Sequence, residues 1–203
     1  MMQVNSEGTL NFARTLSSLK NPPFLIHVSS STEPIGTEKP ESVYSKSKAR
    51  GTTAVVSALT QAHIPFNVVR IHNTYGPTQP NERFIMSLVK KMRHRETIQL
   101  NYPNRVRDFC LIGDVTGHLA DLVEQQHSSI ANREIGTGKG TTLLDVAHLI
   151  CQIVGAPKSL ITNQDSRIKD PSAVRVADTT SPVFLQCKTS LQDGLDLVVR
   201  SFL

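Results

Sequence analysis

Apolar residues recur at helical spacing over residues 4–19, where Leu10, Ala13, Leu16 and Leu19 fall along one side and predict a helix. Asn21-Pro22-Pro23 stops it, because proline cannot continue a helical hydrogen-bond ladder. The run Phe24-Leu25-Ile26-His27-Val28 is nearly unbroken in its apolar character and suits a short strand covered on both faces. A polar loop, residues 29–40, precedes a long helical pattern over residues 42–63. Ile64-Pro65 then leads into a second buried strand, Phe66-Asn67-Val68-Val69-Arg70. Helix, strand, helix, strand in this rhythm implies a parallel sheet with crossover helices.

The second half is more mixed. Residues 82–95 read as helix, 106–112 as strand, 114–126 as helix and 133–135 as a short strand. A helix follows over residues 143–154, then a loop-rich stretch over 156–182 and a final amphipathic helix over 191–202. No internal repeat or low-complexity linker interrupts the chain. The fold class expected is α/β, a parallel sheet with a smaller mixed C-terminal lobe, and the boundary between the two falls after residue 77.

Composition narrows the classes. A chain of 203 residues can bury a sizeable core. No stretch is long and apolar enough for a membrane helix, and the N-terminal residues carry no secretory pattern, so the expected location is the cytoplasm. Cys110, Cys151 and Cys187 stand far apart in sequence with no paired spacing, which reads as reduced packing residues and no metal site. The net charge of +5 favours anionic partners. One basic cluster, Lys90-Lys91-Met92-Arg93-His94-Arg95, could meet phosphate but reads better as the solvated end of a helix. With no Trp and few other aromatics to interleave, the chain does not read as nucleic-acid-binding.

The sharpest chemical signal is Tyr44-Ser45-Lys46-Ser47-Lys48, in which Tyr44 and Lys48 share one helix face. An ammonium beside a phenol favours the phenolate and makes the tyrosine an acid/base for a substrate hydroxyl. Such a pair is ordinarily surface decoration. Its position changes the reading, since it follows a buried strand that ends in Ser29-Ser30-Ser31, at the sheet edge where ligands bind in open α/β folds. A second signal, Gly136-Thr137-Gly138-Lys139-Gly140-Thr141, could cradle phosphate before a helix. Its glycine spacing matches neither the dinucleotide nor the P-loop pattern, so it reads as a structural turn.

Five segments in order resemble the extended short-chain dehydrogenase/reductases, the NAD-dependent epimerase/dehydratase family that modifies nucleotide sugars. They are Asn5-Ser6-Glu7-Gly8-Thr9; the serine loop from Val28 to Gly36; Tyr44 to Lys48; Arg70-Ile71-His72-Asn73-Thr74-Tyr75-Gly76-Pro77; and Arg107-Asp108-Phe109 followed by Asp114. The resemblance implies a partial doubly wound, Rossmann-like sheet over residues 1–77 and a substrate lobe over residues 78–203 whose elements partly return to the sheet. It also implies NAD or NADP as cofactor and a nucleotide-diphosphate sugar as substrate.

By the same resemblance, Ser31 hydrogen-bonds the reacting sugar oxygen, Tyr44 exchanges its proton, and Lys48 holds the nicotinamide ribose. Asn5 and His72 lie near the cofactor, Asn73 near the diphosphate, and Arg107 and Arg167 clamp it. Glu33, two positions after Ser31, matches a glutamate that removes a proton in members that eliminate water or decarboxylate; a solvent-facing loop glutamate is the alternative. The glycine-rich nucleotide loop of the family has no counterpart before Asn5, and the resemblance places the start of the chain near the family's fourth helix. An enzyme completed by a further segment or partner, a sugar-nucleotide-binding or interaction remnant, and a purely structural protein therefore stay open. The family's habit of pairing two long helices, here residues 4–19 and 42–63, implies a homodimer.

Overall fold

A computed structural model describes residues 1–36, 38–125, 130–163 and 174–202. In chain order these form a π-helical turn (Gln3–Gly8), α1 (Thr9–Ser17), β1 (Leu25–Ser30), α2 (Val43–Gln61), β2 (Phe66–Ile71), β3 (Asn73–Tyr75), α3 (Phe84–Arg93), β4 (Ile98–Leu100) and β5 (Val106–Leu111). Then come α4 (Ile112–Gln125), β6 (Ile130–Gly136), β7 (Gly140–Thr142), α5 (Leu143–Val154) and a 3-10 turn (Lys158–Leu160). The last elements are β8 (Ile161–Asn163), β9 (Val174–Arg175), β10 (Leu185–Gln186) and α6 (Leu191–Arg200).

The chain forms two compact units. The first comprises Met1–Ile71, Thr116–Ile135 and Asp178–Leu185; the second comprises the remaining segments, His72–Val115, Gly136–Ala177 and Gln186–Leu203.

In the first unit, β1 and β2 pair in parallel from Leu25↔Phe66 to Ser30↔Ile71. On the other side of β2, β6 pairs in parallel through Arg70↔Glu134 and Ile71↔Ile135. The sheet order is β1-β2-β6-β10. The parallel sheet implied by the element rhythm is therefore present. Ala13 and Leu16 of α1 pack with Val55 and Leu59 of α2, and Ile64, Phe66 and Val68 close the same core. The polar Asn67 within β2 meets Arg133, its Oδ1 accepting from Nε at 2.9 Å. Ser42 starts α2, its side chain accepting the Ser45 N–H at 3.1 Å.

In the second unit, β5 pairs in parallel with β3 and β9 and antiparallel with β7, while β4 pairs with β8. A larger core gathers Ile85, Leu88, Val89 and Met92 of α3 with Val146 and Ile150 of α5 and Leu195 and Val198 of α6. Tyr75 meets Phe109 edge-on beside them, ring centroids 6.5 Å apart.

Several expectations are refined. The first predicted helix opens as a π-turn. The loop-rich stretch holds a 3-10 turn and the small strands β8 and β9. The basic cluster ends α3, where Arg93 Nη1 donates to the Phe202 carbonyl at 2.6 Å and Arg95 Nη1 to that of Gly155 at 2.8 Å. Both guanidiniums thus serve carbonyls just beyond helix ends.

Candidate active site

The ladder of β1 continues one residue past its last strand residue, where the Ser31 N–H donates to the Ile71 carbonyl at 3.1 Å. Ser29, Ser30 and Ser31 are all buried. The chain then turns back, with Glu33 N–H on the Ser30 carbonyl at 3.0 Å and the hydroxyls of Ser30 and Thr32 paired at 2.9 Å. Ser45, in the first turn of α2, donates its hydroxyl to the Thr32 carbonyl at 2.6 Å. That bond ties the start of the Tyr44–Lys48 helix to the serine loop.

Within this frame the expected residues take distinct positions. Tyr44 is 41% exposed. Lys48, one turn further along α2, reaches inward and donates from Nζ to the Val28 carbonyl at 2.7 Å. Among the described residues no hydrogen bond joins Tyr44 to Ser31 or to Lys48. Asn5 donates from Nδ2 to Ser47 Oγ at 3.1 Å, and Ser47 Oγ in turn donates to the Tyr44 carbonyl at 2.8 Å. The approach depends on Gly51, where an added Cβ would come within 2.2 Å of the Asn5 carbonyl oxygen.

Glu33 is 3% exposed and is not a solvent-facing loop residue. Its Oε1 accepts from the hydroxyl of Ser29 and from Thr52 Oγ1, the latter at 2.9 Å. Its main-chain oxygen accepts from Arg70 Nη2 at 2.6 Å, and Arg70 Nε lies 3.6 Å from Glu134 Oε1. Thr52 also meets His27 Nε2 at 3.1 Å. Burial and the neighbouring Lys48 ammonium pull the His27 imidazole down to about 4. Burial lowers the Lys48 ammonium from its ordinary value as well, and the Glu33 carboxylate opposes that fall.

His27 and Thr52 were not singled out from the sequence, and Arg70 and Ser45 lie within quoted motifs without a role of their own. Each left a trace there: a histidine inside an apolar strand, a threonine one turn beyond Lys48, an arginine closing a buried strand, and a serine between motif residues.

The remaining expected residues belong to the second unit. His72 is buried, Asn73 is exposed on β3, and Arg107 is buried on β5, donating from Nη1 to the Val106 carbonyl at 2.7 Å. Arg167 lies outside the described residues. The glycine-rich turn between β6 and β7 closes on a protein carboxylate. Asp108 accepts from the N–H groups of Thr137 at 3.0 Å and Gly138 at 2.9 Å and from Thr137 Oγ1 at 2.5 Å. The turn is thus occupied from within, as the structural reading of its spacing implies.

The sequence pattern of the NAD dependent epimerase/dehydratase family matches residues 1–135. The chain belongs to this family. Among relatives, a dTDP-L-rhamnose 4-epimerase from Burkholderia thailandensis is 29% identical over 132 residues, which cover 63% of this chain and 35% of the relative. UDP-glucuronic acid decarboxylase 2 from Arabidopsis thaliana is 25% identical over 174 residues, covering 83% and 38%. The chain thus spans about a third of the length of these relatives.

Solved structures give the same fold. The dTDP-glucose 4,6-dehydratase of Bacillus anthracis, in complex with NAD, superposes with a TM-score of 0.82 at 19% identity, covering 99% of this chain and 68% of that one. The UDP-glucose 4-epimerase of Thermotoga maritima, with UDP-glucose, gives 0.81 at 23% identity, covering 99% and 70%. The Rossmann-like assignment for this epimerase/dehydratase family member therefore stands on sequence and on fold together.

Proposed function

We propose that this chain carries the catalytic face of an NAD(P)-dependent nucleotide-sugar epimerase/dehydratase, whose reaction opens by oxidising a sugar hydroxyl. The observation that carries the reading is the joint between the serine loop and α2. Ser31, Tyr44 and Lys48 are carried on two segments that Ser45 and Lys48 bond together at the carboxyl end of β1. This is where open parallel sheets bind ligands.

Ser31 hydrogen-bonds the sugar oxygen, and the exposed Tyr44 phenol takes its proton and returns it later. Lys48 has three ammonium donors and uses one on the Val28 carbonyl, which leaves two for ribose hydroxyls. These residues fit the nicotinamide-ribose end of NAD or NADP, which when bound supplies the hydride acceptor. The glycine-rich turn between β6 and β7 does not serve as a pyrophosphate cradle, because its N–H groups are already taken by Asp108. The domain reading expected from the sequence assigns His72, Asn73 and Arg107 to cofactor and diphosphate contacts, with a nucleotide-diphosphate sugar as substrate. Glu33 takes no proton-abstracting part in this reading, its carboxylate being turned to Ser29 and Thr52. In this reading the chain works as a homodimer or together with a partner that contributes the glycine-rich half of the fold.

The test is turnover of UDP- and dTDP-linked sugars with NAD+ or NADP+, using the chain alone and together with any segment encoded upstream. Tyr44→Phe should lower kcat by about two orders of magnitude or more in whichever form is active. Unchanged turnover in that variant would overturn the role. Tight sugar-nucleotide binding without turnover in every form would instead support the binding-module reading.

A further inference from the structure

We propose that Glu33 is a positioning residue whose buried carboxylate, held by Ser29 and Thr52, fixes the end of β1 against the side of α2 that carries Lys48. The proposal rests on the reading of Lys48 as a functional residue and gives Glu33 a task other than the base of an elimination.

Lys48 and Thr52 are one turn apart on α2 and so present to the same side of the helix. Both reach the end of β1. Lys48 bonds the Val28 carbonyl, and Thr52 bonds Glu33, whose other donor is the hydroxyl of Ser29, the residue after Val28. The loop that carries Glu33 is fixed independently through its main-chain oxygen by Arg70. A carboxylate so anchored cannot swing toward a substrate without breaking two bonds. It can act across the gap on the partly buried ammonium, where the low local dielectric strengthens the attraction.

The proton count sets one further constraint. Thr52 has a single hydroxyl proton. Directed to Glu33 Oε1 at 2.9 Å, it leaves Thr52 Oγ1 to accept from His27 Nε2 at 3.1 Å, so His27 must carry its proton on Nε2. A neutral His27 in this tautomer adds no positive charge beside Lys48. The titratable groups around Lys48 are then Glu33 from the loop, His27 from β1 and Tyr44 on its own helix. Arg70 of β2, behind Glu33, is partnered by Glu134 of β6. Removing the Glu33 charge leaves burial unopposed, and the ammonium becomes easier to deprotonate.

The experiment is NMR titration of the ligand-free chain, with the Lys48 Nζ and Cε signals assigned by their loss in Lys48→Met. In Glu33→Gln the midpoint of Lys48 should fall measurably below that of the unaltered chain. His27 should show the Nε2–H tautomer in the unaltered chain. That preference should vanish in Thr52→Val and survive in Thr52→Ser. Native-like methyl signals of Val55 and Leu59 report that each variant is folded. An unmoved Lys48 midpoint in folded Glu33→Gln would overturn the proposal, as would an Nδ1–H tautomer of His27. Should Glu33→Gln fail to fold, the His27 tautomer and the Thr52→Val and Thr52→Ser pair decide the matter. None of these readings depends on turnover, so they succeed or fail separately from the Tyr44→Phe test.

Discussion

The carboxylate of Asp108 sits inside the glycine-rich turn, 2.9 Å from the Gly138 N–H. It is fully buried, and it also receives the Ala177 N–H at 3.3 Å. One side chain on β5 thereby satisfies main-chain donors from two other segments of its unit. Asp108→Ala should therefore lower unfolding free energy by about 2–4 kcal/mol, since several buried donors lose a charged acceptor. Asp108→Asn should fall in between. Urea denaturation checks both, and a loss below about 1 kcal/mol for the alanine variant would contradict this account.

Gly51 marks a close approach between the π-turn and α2. Exchanging an interior helical glycine for alanine ordinarily gains about 1 kcal/mol. Here the added methyl would meet a main-chain oxygen at 2.2 Å, and neither backbone can yield cheaply. Gly51→Ala should instead destabilise by roughly 2 kcal/mol. A thermal melt that shows any stabilisation would count against the packing described.

Acid should weaken the fold through His27. The unfolded histidine binds a proton near its ordinary value of 6.5, whereas the folded one resists until about 4. Its contribution is complete above the upper value and is lost as pH falls from 6.5 to 4. Allowing for partial solvent access, the loss attributable to this residue is about 2–3 kcal/mol. Urea midpoints measured across that window should slope in the unaltered chain and flatten in His27→Gln.

The cysteines should resist alkylation. All three are buried and free. A hydrogen bond with the Cys187 thiol, together with burial, holds the Cys110 thiol far above the ordinary range. A thiol reagent should label Cys110 at a negligible rate in native buffer and all three cysteines once guanidinium unfolds the chain. Rapid native labelling of Cys110 would show that it is more open than its burial implies.

The long elements of this fold are legible because their signals are redundant. α5 is read at its observed limits from its apolar run, and the structure bounds it with the Thr142 cap and the left-handed Gly155. The strands of two or three residues, such as β4, β8 and β9, are not legible, because so short a segment carries no period and exists only through its partner. The same holds at the site. Tyr44 and Lys48 announce themselves by spacing. Thr52 and His27 matter through a carboxylate that arrives from a loop, and no local pattern encodes that meeting. The three cysteines are all buried, and the contact between Cys110 and Cys187 is a product of the fold.

The π-turn Gln3–Gly8 alters the phase of everything before α1. A wider turn accommodates one more residue than an α-helical turn, and each residue of a regular helix advances the side-chain direction by about 100°. Asn5 can therefore look toward Ser47 while Ala13 and Leu16 stay in register with the core. Deleting a single residue from this stretch would keep a helix and its core face, yet swing the Asn5 amide away from α2. Length, as much as identity, is what these few residues encode.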